Sequence, residues 1–164
     1  MTTIIAVNTH DEQALYADSF AFGAGIGSRG NVKMICLAPE IIMAWAGVQY
    51  VGFYAGHILQ GIDLQEVFAF GLLLPRLELP VVDVKDFAAL VLFGGKIWVV
   101  HEELFPVVIP QQYAARGSGS KFALGALAAG VPTLRALDVA TEFDPDTQPP
   151  YMRMDLSGTL TLVK

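Results

Sequence analysis

Apolar residues along this chain fall into short runs separated by turn-forming positions, and the runs switch between strand and helix spacing. Thr3–Asn8 and Gln13–Asp18 are β-prone and are split by the polar Thr9-His10-Asp11-Glu12, which predicts a hairpin. A glycine-rich loop is expected over residues 19–31. Residues 32–37 and Ile41–Ala46 form a second strand pair around Ala38-Pro39-Glu40, and after Gly47 an apolar periodicity reaching Leu59 predicts a helix. Asp63 offers an N-cap for a further helix that Pro75 would stop.

The second half repeats the alternation. Residues 87–93 and Lys96–His101 flank Gly94-Gly95, a hairpin signal, and more strands are expected after it. Residues 121–129 are alanine-rich and helical, Gly130 stops them, and Pro132-Thr133 opens another helix running to about Phe143. Residues 151–156 and 159–163 return to strand, joined at Ser157-Gly158. Strands and helices come in blocks with no repeating βαβ unit, so the expected class is α+β: two antiparallel sheets sandwiched by helices. No linker or repeat divides residues 1–164, and a single domain is expected.

Composition narrows the function. A chain of 164 residues buries roughly 70% of its unfolded surface, enough for a core without disulfides or structural metal. With 54% hydrophobic residues and mean hydropathy +0.50, disorder is excluded, and part of the apolar excess is expected in subunit interfaces. A net charge of −6 has the wrong sign for attracting nucleic acid or an anionic membrane. Cys36 is the single cysteine, and His10, His57 and His101 lack metal-ligand spacing, so no metal and no cofactor is expected. The N-terminus lacks the features of a secretory signal, and a cytoplasmic location is expected. Residues 41–62 carry no Asp, Glu, Lys or Arg and contain Gly52 and Gly56 in a GxxxG pattern, the length and motif of a membrane span. Gln49, His57 and Gln60 inside the run, and no Lys/Arg excess beside it, favour a buried strand, a glycine break and a core helix.

Small polar residues or glycines stand out at Thr2, at Asp18 with Lys33, at Ala46-Gly47 and at Gly117-Ser118-Gly119-Ser120. Removal of Met1 would leave an α-amine, with pKa near 7.7–8.0, beside the Thr2 hydroxyl, where it can act as a general base. Taken singly, each has a plainer reading. Asp18 and Lys33 also suit an ordinary surface ion pair, and Ser118 or Ser120 suits a helix cap. Met43 and Trp45 suit either core packing or a specificity pocket, and Cys36 suits packing.

Together these positions resemble the proteasome β-subunit and HslV peptidases, which are N-terminal-nucleophile (Ntn) hydrolases. Thr2-Thr3-Ile4 is similar to the mature N-terminus of that family, Ala17-Asp18-Ser19 to its short Ala-Asp-Ser motif, and Gly30-Asn31-Val32-Lys33 to the HslV loop leading to the catalytic lysine. Ala46-Gly47 is similar to the Ala-Gly turn, and Gly117-Ser118-Gly119-Ser120 with Ala123, Gly125 and Leu127 to the proteasome Gly-Ser-Gly-Ser-x-x-Ala-x-Gly-x-Leu pattern. The resemblance spans nearly the whole chain and implies a four-layer αββα sandwich, the Ntn hydrolase fold.

It also implies roles. Thr2 is the nucleophile, Lys33 the cation beside it, and Asp18 the group that orients Lys33; the Gly47 N–H faces the oxyanion, and Ser118, Asp144 and Thr147 support the α-amine. The implied activity is a threonine-type endopeptidase acting on unfolded polypeptide within a homo-oligomeric ring, with an AAA+ unfoldase as partner. The alternative is a catalytically silent structural or assembly subunit. The chain departs from the pattern in several places. The stretch from Asp18 to Lys33 is one residue short, so counting from the N-terminus puts Met34 on the lysine position, whereas counting back from Gly47 keeps Lys33 there. Thr147 replaces the usual serine, Gln148-Pro149-Pro150 replaces a glycine pair, and the helices after Ser118 are shortened.

Overall fold

A computed structural model describes residues 2–23, 26–61, 63, 64, 66, 87–101 and 106–164. The first expected hairpin forms as strands β1 (Thr3–Asn8) and β2 (Gln13–Asp18), with Ile4 opposite Ala17. The glycine-rich stretch that followed holds a two-stranded ribbon, β3 (Ala21–Gly23) and β4 (Ile26–Ser28), where a loop was expected. Next come β5 (Met34–Ala38), β6 (Ile41–Ala46) and helix α1 (Gln49–Leu59). Val32 and Lys33 stay outside β5, which begins two residues later than the expected strand. Glu66 N donates to Asp63 Oδ1 at 3.2 Å, the expected capping bond. The remainder of that expected helix, with Pro75, lies outside the described residues.

β7 (Ala88–Phe93) and β8 (Lys96–His101) close at Gly94-Gly95, followed by β9 (Pro106–Ile109) and β10 (Tyr113–Gly117). Helices α2 (Ser120–Ala128) and α3 (Thr133–Phe143) lead to β11 (Tyr151–Asp155) and β12 (Leu160–Leu162). One sheet has the order β10-β1-β2-β11-β12 and the other β5-β6-β7-β8-β9, and both are antiparallel.

Strand alternation distributes the core into layers. In β1, Ile4 and Ala6 point between the sheets, where they meet Ile42, Ala44, Leu90 and Leu92 of the second sheet. Ile5 and Val7 point the other way, against Ala123 of α2 and Leu137 of α3. On the far side, Met43 and Trp45 of β6 pack under Val51, Ala55 and Leu59 of α1. The result is the αββα arrangement that the block order predicted.

The apolar run at 41–62 is therefore a strand and a helix, and among the described residues no helix is long and apolar enough to cross a membrane. Its glycines serve helix–sheet packing. A Cβ on Gly52 would stand 2.1 Å from the Trp45 ring, and one on Gly56 would stand 3.1 Å from Ile35 Cγ2. Trp45 thus settles as core, with Phe53 edge-on at 5.0 Å.

Candidate active site

The site forms where β1 begins, because the pairing of β1 with both neighbours brings three strand ends to one place. Thr3 pairs with Gly117 of β10, while the register on the other side sets Asp18 beside it. Thr3 N donates to Asp18 Oδ1 at 2.8 Å, and Ser118 N donates to Thr2 O at 3.0 Å. Gly117 sits at φ 99°, and a Cβ there would lie 1.7 Å from Thr2 O. Only glycine lets β10 pass this close to the Thr2 carbonyl.

Asp18 is wholly buried, and Lys33, 4% exposed, reaches it at 3.4 Å from Oδ1 and 3.3 Å from Oδ2. Phe20 N donates to Asp18 Oδ2 at 3.0 Å, and Lys33 Nζ also donates to Phe20 O. Burial pushes the Lys33 ammonium below the usual lysine range, with the Asp18 charge partly opposing the shift. Burial likewise pushes Asp18 up, against the pull of Lys33 and of the Thr3 and Phe20 N–H groups.

Of the two registers open from the sequence, the structure puts Lys33 on Asp18 and packs Met34 into the inter-sheet core. Two contacts hold this register. Trp45 N donates to Lys33 O at 3.0 Å, and Asn31 N donates to Ser19 O at 3.0 Å, which anchors the approach to Lys33 beside Asp18. Gly30 N adds a bond to Ser19 Oγ at 3.2 Å.

A hydroxyl cluster lies on the other side of Thr2. Ser118 Oγ and Thr147 Oγ1 each donate to Asp144 Oδ2 at 2.6 Å, and Asp146 N donates to Asp144 Oδ1 at 3.3 Å. Thr147 Oγ1 lies 2.6 Å from Thr3 Oγ1, which accepts from Gly119 N at 3.1 Å. The plainer reading of Ser118 or Ser120 as a helix cap does not hold: the N-cap of α2 is Gly119, which has no side chain to cap with, and Ser118 donates to Asp144.

Thr2, Asp18, Lys33, Ser118, Asp144 and Thr147 thus gather around the start of β1. Gly47 lies just past β6 at φ 108°, two residues beyond the Trp45 N–H that binds Lys33 O. Thr2 itself is 2% exposed, and its Oγ1 is buried with no hydrogen-bond partner among the described residues. A buried, unpaired alcohol can be converted to a nucleophile, and the carboxylate–hydroxyl cluster can receive the N–H groups of an amine.

Sequence reading missed Thr3. Its backbone and side chain contact both halves of the site, yet it is a strand residue next to the conspicuous Thr2, and no motif spacing singles it out.

No family model and no curated protein matches the sequence. Solved structures do match it. Thiobacillus denitrificans BPH in complex with epoxomicin superposes with TM-score 0.73 at 20% identity, over 95% of this chain and 100% of that one. The same organism's BPH, in a separate structure, gives TM-score 0.70 at 19% identity, over 96% and 100%. Eukaryotic HslV from Trypanosoma brucei gives 0.68 at 17%, over 93% and 97%. At these identities the likeness is one of fold.

Proposed function

We propose, for a chain with the α+β sandwich of an HslV-type Ntn hydrolase, that it is a threonine endopeptidase with Thr2 as the nucleophile once Met1 is removed. The observation that carries this reading is the Thr2 hydroxyl, which is buried and unpaired on the residue before Thr3, whose N–H binds the Asp18 of a buried Lys33–Asp18 pair. Most buried hydroxyls find partners, and one without a partner calls for an explanation, which a nucleophilic role supplies.

In the proposed reaction, Thr2 Oγ attacks a peptide carbonyl while the α-amine, directly or through water, takes the hydroxyl proton. Lys33 lowers the cost of the developing alkoxide, and the Gly47 N–H donates to the oxyanion, a contact typically worth ~10²–10³ in rate. Collapse breaks the C–N bond, the leaving amine takes the proton back, and water hydrolyses the Thr2 ester to restore the hydroxyl. The family resemblance extends the proposal to unfolded polypeptide as substrate, a homo-oligomeric ring, an AAA+ unfoldase as partner and a cytoplasmic setting.

A peptide epoxyketone provides the test, since forming its morpholine adduct needs both a hydroxyl and a free α-amine. Epoxomicin, bound in the Thiobacillus BPH structure, is a suitable probe. The expected result is one adduct on Thr2 and loss of peptidase turnover in Thr2→Ala by at least ~10³-fold, with the fold intact. Undiminished turnover in Thr2→Ala would eliminate this nucleophile.

A further inference from the structure

The hydrogens around Thr3 can be counted, and the count gives the cluster a direction. Asp144 Oδ2 is a carboxylate oxygen and only accepts. Ser118 and Thr147 lie 2.6 Å from it, so each commits its hydroxyl hydrogen there. Thr147 has no second hydrogen, so in its 2.6 Å contact with Thr3 it accepts and Thr3 donates. Thr3 in turn accepts the Gly119 N–H at 3.1 Å. Protons therefore run one way, from Gly119 N–H through Thr3 and Thr147 to Asp144, and Ser118, bonded along the chain to Gly119, closes the ring.

Two consequences follow. Ser118 Oγ keeps only acceptor capacity, so toward an amine it takes an N–H and never competes for the nitrogen lone pair. Asp144 Oδ2 already holds two hydroxyl hydrogens, so it is a weaker clamp for an ammonium than a bare carboxylate oxygen would be. We infer that Thr3 is a positioning residue: its hydroxyl keeps Thr147 turned onto Asp144 and Gly119 N–H satisfied, and so keeps the Thr2 α-amine free to act as base. The catalytic part of this inference rests on the proposed peptidase reading; the proton direction does not.

Without the Thr3 hydroxyl, Gly119 N–H loses its acceptor and Thr147 loses its donor. On the proposed reading, in which Asp144 supports the α-amine, Thr147 then turns toward that N–H and Asp144 Oδ2 is released to pair with the amine. The ammonium is then favoured and the acid limb of the rate profile moves up.

The variant Thr3→Val removes the hydroxyl, keeps the β-branch and leaves the backbone bond to Asp18. The expected result is a fall in kcat at pH 7 of about tenfold, the size of one or two lost buried hydrogen bonds, with KM unchanged. The acid limb shifts to higher pH, and Thr3→Ser restores both quantities. The same shift is read without turnover by NMR titration of the α-amine in protein whose first residue is Thr2. Thr147→Val opens the ring from its other side and moves the amine in the same direction, which decides the matter if Thr3→Val does not fold. A wild-type protein without turnover removes the peptidase reading, while the amine titration still judges the role of Thr3. An amine pKa that is the same in wild type and the ring-opened variant, or a kcat loss that serine does not rescue, overturns the inference.

Discussion

Replacing Lys33 with methionine tests whether the site is built on a buried charge pair. Asp18 is fully enclosed, and Lys33 is the cation at its carboxylate, donating to Phe20 O as well. Methionine fills similar volume but leaves Asp18 with the N–H groups of Thr3 and Phe20 alone. Breaking a buried pair from one side costs about 3–5 kcal/mol, against 0–1 kcal/mol for an exposed pair.

The pH dependence sharpens the test. Burial already raises Asp18 above the unfolded carboxylate value near 3.9, and loss of Lys33 raises it further. Between those two values the native state holds a proton that the unfolded state has released, so stability falls as pH rises through the window. The deficit of Lys33→Met should therefore be smaller near pH 4 than at pH 8. Lys33 in the wild type works in the opposite sense: its lowered pKa means that unfolding takes up a proton, so stability rises with pH between the folded value and ~10.4. Urea unfolding at pH 4, 6, 8 and 10 measures both trends, and the cycle with Asp18→Asn and the double variant should give a coupling energy above ~1.5 kcal/mol. A deficit below about 1 kcal/mol at pH 8, or one that does not vary with pH, would show that the pair is not a desolvated ion pair, and the reasoning would fail.

Two further substitutions follow from close approaches. Gly119→Ala would bring a Cβ to 2.4 Å from Thr3 Oγ1, 2.7 Å from Thr147 Oγ1 and 3.0 Å from Asp144 Oδ2. Thermal melting should show a loss of about 1–3 kcal/mol, and peptidase turnover should fall more than tenfold because the hydroxyl ring is forced apart. Gly52→Ala drives a Cβ into the Trp45 ring at 2.1 Å and should destabilise by a similar ~1–3 kcal/mol; adding Trp45→Leu should recover part of it, and additive losses in the double variant would contradict the packing argument.

The strand skeleton was legible because period-two patterning and turn residues act locally. β1, β2, β6 and β8 begin and end where the apolar runs do, since a single slip would turn Ile4 or Ile42 to the wrong face. The β3–β4 ribbon was hidden because its glycines signal a loop as strongly as a hairpin. The GxxxG glycines were ambiguous for a similar reason: small residues permit close approach, and only the partner, here Trp45, tells a sheet from a second helix. Ser118 looked like a cap because serine before a helix usually is one. Asp144, 26 residues later, accepts its hydrogen instead, a preference that no local window contains. Thr3 was illegible for the same reason, since its side-chain partners lie 116 and 144 positions away.

Local rules and tertiary structure disagree most at one place, and that is itself informative. Elsewhere the fold buries apolar side chains in alternating layers. At the start of β1 it instead encloses a carboxylate, an ammonium and an unpaired hydroxyl, although apolar residues of similar volume at Asp18 and Lys33 would often be neutral or stabilising. One such departure can be structural, as the unpaired Trp45 Nε1 under α1 illustrates. At β1, however, the ion pair and the carboxylate–hydroxyl ring meet on Thr3, the residue after the unpaired alcohol, so their desolvation costs fall at one strand end. A fold that gathers its buried polar and charged groups at one strand end concentrates its chemistry there. Thr2 Oγ1 is therefore the atom on which the peptidase reading should be judged.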